Sequence, residues 1–196
     1  MTFARIAAAL GLALILAGCL PVTTKTPVGS TTGLGTDTAL YGTWIGHTPD
    51  GDASPIFHFL ARDDESMTVI LVTPPHGTDK GDWSVYGVRA SKLGANRFLN
   101  VQEISSNGKP PGSDAPNGTF PLLYRTAADG SVTLYLMDEK LAAGAIKTGK
   151  IAGEVEPGEN GDVHITADAK TLDAFMQTRA GLALFAKPLI RLTRMK

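Results

Sequence analysis

The chain of 196 residues contains one cysteine, Cys19, and therefore cannot close an internal disulfide. Its 18 basic and 19 acidic side chains nearly cancel, giving a formal net charge of −1. With no basic run either, the charge pattern excludes the electrostatic footprint of a nucleic-acid binder, and no nucleic-acid partner is expected. No apolar stretch reaches the roughly 20 residues of a membrane-spanning helix. The signatures of common chemistries are missing as well: no G-x-S-x-G elbow, no phosphate loop and no dinucleotide fingerprint. The histidines, His47, His58, His76 and His164, show neither His-Glu-x-x-His spacing nor a cysteine partner. The acidic groups Asp50-Gly51-Asp52, Asp63-Asp64-Glu65 and Asp79-Lys80-Gly81-Asp82 complete no calcium loop and suit turns for backbone reasons. No catalytic residue, metal site or cofactor follows, and an enzyme is the less favoured class.

What is present begins at the N-terminus. Met1 to Arg5 carry one positive charge, Ile6 to Leu16 form an uninterrupted apolar run, and Ala17 and Gly18 are small. This is the layout of a secretory signal. Leu16-Ala17-Gly18-Cys19 resembles the lipobox of bacterial lipoproteins. That resemblance implies a signal peptide over 1–18, cleavage before Cys19, a diacylglyceryl group on the Cys19 thiol and acylation of the new amino end. Several acyl chains, at about 0.8 kcal/mol per buried methylene, anchor a protein stably where one holds it marginally. Among Gram-negative lipoproteins, Leu20 in place of an aspartate implies the outer membrane, facing the periplasm. The membrane is thus an expected partner through the N-terminal lipid.

From Leu20 to Ala39 the chain is mostly Pro, Val, Thr, Lys, Gly and Ser. So little apolar mass predicts a flexible tether over 19–39, spanning roughly 25 Å as a random coil. One domain is expected over 40–196.

In that domain β-branched and aromatic residues mark strands at Leu40–His47, Ile56–Arg62, Met67–Thr73, Asp82–Arg89 and Arg97–Ile104. Further strands are predicted at Phe120–Thr126, Ser131–Met137, Lys150–Val155, Asp162–Thr166 and Leu189–Arg194, with a long loop over Ser105–Thr119. Asp138 can cap a helix presenting Leu141, Ala142, Ala145 and Ile146 on one face, ended by Gly149. A second helix starts near Asp168, buries Leu172, Phe175 and Met176, and either stops at Gly181 or extends over Leu182 to Phe185. The reading is a mainly β fold: an antiparallel barrel or sandwich of about eight to nine strands with two short helices.

Gly42-Thr43-Trp44 in the first strand is similar to the G-x-W signature of lipocalins. The resemblance extends to the tail, where a helix precedes a last strand carrying Arg191 and Arg194. It implies a barrel in which a late arginine packs over Trp44 and closes one end, a contact worth about 0.5–2 kcal/mol. His58, alternating with Ile56 and Leu60, is a weak candidate for the interior wall. Two function classes follow: a binding module for a small apolar ligand or lipid, and a structural or protein-binding envelope lipoprotein docking through loops such as Ser105–Thr119.

Overall fold

The computed structural model describes residues 21–49, 54–75, 80–112, 118–156 and 162–196. Cys19, the signal segment, His76 and part of the Ser105–Thr119 loop lie outside the described residues.

Two short strands come first, β1 (Thr23–Thr24) and β2 (Leu34–Gly35), followed by a 3-10 turn over Thr38–Leu40. Seven longer strands form a meander: β3 (Gly42–His47), β4 (Ile56–Ala61), β5 (Met67–Thr73), β6 (Asp82–Leu93), β7 (Asn96–Ser106), β8 (Phe120–Thr126) and β9 (Val132–Leu136). Each pairs antiparallel with the next. The final strand, β12 (Pro188–Arg194), slots between β9 and β3 and closes an eight-stranded barrel. The architecture is therefore the barrel and not the sandwich, with β2 added against β6 as a ninth strand. Closure leaves the meander no long free edge.

Between β9 and β12 the chain makes α1 (Glu139–Lys147), β10 (Gly153–Val155), β11 (Val163–Ile165), α2 (Ala169–Met176) and α3 (Arg179–Ala183). The helices start where side chains can cap them. Asp138 accepts from the Leu141 amide at 3.0 Å, Asp168 from Thr171 at 2.9 Å and Thr178 from Gly181 at 3.0 Å. The two helices expected are thus three among the described residues. Gly181 lies inside the third: a Cβ there would stand 2.2 Å from the Phe175 carbonyl oxygen, so packing and not termination selects glycine. On α1, Ala142 and Ala145 are buried as expected, but Leu141 is 47% exposed.

The insertion packs on the outside of the barrel wall, so some strands are buried on both faces. On β7, Leu99 points into the barrel and Phe98 into the outer core; on β8, Leu122 and Leu123 divide the same way. Phe98 meets Phe185, the residue after Leu184 that follows α3, edge-on at 5.7 Å.

The expectation of a flexible tether fails for residues 21–39. Val22 and Val28 are 1% and 0% exposed, and β1 pairs parallel with β11. Thr24 and Thr119 exchange backbone hydrogen bonds. The buried Asp173 carboxylate accepts from the amides of Gly29 at 2.6 Å and Thr31 at 3.0 Å, and from the Thr31 hydroxyl. Asn100 brackets Val28, accepting from its amide at 2.7 Å and donating to its carbonyl at 2.9 Å. The segment is a strap. Composition missed it because hydrogen bonds from distant side chains, more than apolar mass, hold it down.

Candidate functional site

One end of the barrel is shut by the 3-10 turn. Asp37 caps it, accepting from the Ala39 amide at 3.1 Å. The same carboxylate accepts from the Tyr124 phenol at 2.6 Å and the Arg97 guanidinium at 2.8 Å. Leu40 plugs the interior, and its carbonyl accepts from the Trp44 indole N–H at 2.7 Å. Arg194 then crosses the lid, 4.3 Å above the Trp44 ring centre, and donates to the carbonyls of Ala39 and Tyr41. Of the two arginines named from the sequence, Arg194 makes the Trp44 contact. Arg191 pairs with Asp129 at 2.7 Å instead. Gly42 is obligatory here, with φ +117° and a would-be Cβ only 2.7 Å from Arg194 Nη1.

The other end stays open. Exposure rises along the bore, from Trp44, Phe59 and Leu99 at 2% each to half-buried Phe57, Leu71, Phe120, Leu136 and Leu189. Between lid and mouth lies a cavity of about 150 Å³ whose walls are almost wholly apolar. Phe57 and Phe59 stack along β4 at 6.4 Å, and Tyr86 meets Phe120 edge-on at 6.1 Å. Gly46 also turns inward; a Cβ there would come within 2.5 Å of Ile190 Cδ1. Polar groups are few. Tyr86 and Glu103 contribute to the lining, and burial pushes the Tyr86 phenol up, with the Glu103 charge adding to the effect. Burial, reinforced by Asp37, likewise raises the Tyr124 phenol at the lid well above the ordinary value. Both phenols stay protonated at neutral pH, Tyr86 in the apolar wall and Tyr124 as the donor to Asp37 at the lid.

His58 is not on the interior wall. Phe57 and Phe59 face the cavity, so His58 points outward with Leu60, and its Nδ1 lies 3.0 Å from the Thr43 hydroxyl across the β3–β4 ladder. Ile-Phe-His-Phe-Leu is apolar on both phases of a two-residue period, so the sequence does not say which face is inside. Among the described residues no three His, Cys, Asp or Glu side chains converge to hold a metal. No helix among them is long and apolar enough to cross a membrane.

The sequence reading did not single out Asp37, Asp173, Gly46 and Pro21. Only Gly46 carried a local signal, sitting two residues after Trp44 on the same face. Pro21 lines the cavity, brought to its mouth by the strap.

No match emerges from comparison with protein-family models, curated proteins or solved structures.

Proposed function

We propose that this chain is a lipid-anchored binding module of the bacterial cell envelope, held through Cys19 in the outer membrane on its periplasmic side, whose barrel takes a small apolar ligand or one alkyl chain of a lipid. The observation that carries the reading is the apolar cavity of about 150 Å³ between the Trp44 lid and the open end. An apolar space of about this size has room for a benzene-sized guest. It is smaller than the roughly 300–1,000 Å³ typical of drug-sized ligands, so the guest is slim. With so little polar surface in the wall, affinity comes from apolar burial, at about 25 cal/mol per Å².

The test is displacement of a fluorescent alkyl probe from the full-length protein by short and long fatty acids. Leu134→Trp, which fills the bore, is expected to abolish binding while the thermal transition is retained. Equal probe binding in the filled and native proteins would overturn the reading. The anchor has its own test: Cys19→Ser is expected to block lipidation and normal processing and to move the protein out of the membrane fraction. Unchanged size and membrane recovery would refute it.

A further inference from the structure

We infer that the open end of the barrel faces the bilayer that holds the lipid anchor, and that its guest is an acyl chain taken from that bilayer. This rests on the lipid-anchored binding reading.

Pro21 lines the cavity mouth, and Cys19 precedes it by two residues. Two trans peptide steps span at most about 7.6 Å between Cα atoms. A lipid on Cys19 would be tied to Pro21 by no more than that length. Nor does slack exist downstream: Val22 is buried, Thr23 and Thr24 pair with β11, and Thr24 exchanges hydrogen bonds with Thr119 beside Phe120 of the rim. A roughly 25 Å leash would have let the domain tumble. A strap this short fixes which end approaches the lipid.

Trp83 opens β6 at the mouth end and is 44% exposed on the outer rim. Pro74 and Pro75, just past β5 at the same end, are exposed too. An exposed indole with adjoining apolar surface suits the headgroup boundary of a membrane. Lys80 and Lys109, both exposed, enter or leave strands at this end and can meet lipid phosphates; Lys187 there pairs with Asp138 at 4.0 Å, and Asp82 and Glu103 share the end. The lid end offers the bilayer no opening.

The orientation can be read because acylation occupies the single native cysteine. Pro110→Cys, in the exposed turn at the mouth, and Ala128→Cys, in the turn at the lid, each accept one environment-sensitive label. The lipidated full-length variants go into phosphatidylethanolamine–phosphatidylglycerol vesicles containing lipid brominated on its acyl chains. The mouth label is expected to be quenched several-fold more than the lid label. Inserting a fifteen-residue Gly-Ser spacer between Leu20 and Pro21 is expected to erase that difference. In the same vesicles a phospholipid with a photoreactive acyl tail is expected to crosslink to peptides containing Leu71 or Phe120. Equal quenching at both ends, with the alkyl probe still entering the barrel, overturns the orientation and leaves the binding reading standing. Strong mouth quenching without crosslinks, and without probe binding, overturns the acyl guest.

Discussion

Arg194 lies with its guanidinium carbon 4.3 Å from the centre of the Trp44 ring while its two terminal nitrogens hold the carbonyls of Ala39 and Tyr41. One side chain on the last strand thus joins the first barrel strand to the turn that shuts the bore. A lysine keeps the charge but cannot span both carbonyls. Arg194→Lys is expected to lower stability, and a double-mutant cycle with Trp44→Leu should give a coupling of about 0.5–1 kcal/mol by denaturant unfolding. Zero coupling would mean that the stacking contributes nothing.

Trp44 itself is 2% exposed and supports Leu40 from below. Trp44→Ala is expected to cost about 3–5 kcal/mol. An unaltered melting curve would remove Trp44 from the core.

The strap depends on a carboxylate buried to 3% exposure. Asp173→Ala leaves the Gly29 amide without its partner, an expected loss of about 1–3 kcal/mol. Hydrogen exchange should accelerate at the Gly29 and Thr31 amides while Val69 and Leu99 in the barrel keep their protection. Uniform acceleration would show that strap and barrel open together.

Alkali tests the two buried phenols. Tyr86 and Tyr124 both titrate above the ordinary value of 10.0 in the folded protein, chiefly because burial disfavours the phenolate. A native pKa above the unfolded one means that the native state holds the proton more tightly, so the contribution is fully present below about pH 10 and declines as pH rises beyond it. Tyrosinate absorbance near pH 10 should show Tyr86 and Tyr124 silent in the folded protein and ionised in denaturant. Tyr124→Phe should flatten the loss of stability on the alkaline side. Simultaneous ionisation of all the tyrosines in native protein at pH 10 would contradict the burial.

His58 serves as the contrasting case. With its ring outside the barrel, His58→Ala is expected to leave alkyl-probe affinity unchanged and to move stability by no more than about 0.5 kcal/mol. Reduced affinity in the folded variant would return the ring to the wall.

The contrast between His58 and Arg194 shows what a single chain reveals. The strand run Met67–Thr73 and the caps Asp138 and Asp168 were legible because their causes are local: β-branched runs and a carboxylate beside a helix start. Trp44 was legible because glycine, tryptophan and a late arginine form a pattern. The phase of β4 was not, since aromatic and aliphatic residues occupy both faces. The strap was not, since its partners Asn100 and Asp173 lie 72 and 144 residues from Val28 and Gly29. The cavity was not, because an empty volume depends on how eight strands curve together.

β12 has a consequence for how the molecule comes to exist. It is the stave between β9 and β3: Arg194 lies opposite Trp44 in that pair, and the His47 ring meets the Thr193 hydroxyl 146 positions away. Without those last residues, β9 and β3 would each keep an unpaired edge. Loop-closure entropy opposes the final pairing, and folds dominated by such distant contacts form in milliseconds to seconds. Ending the chain before Pro188 would leave a sticky sheet in place of a barrel.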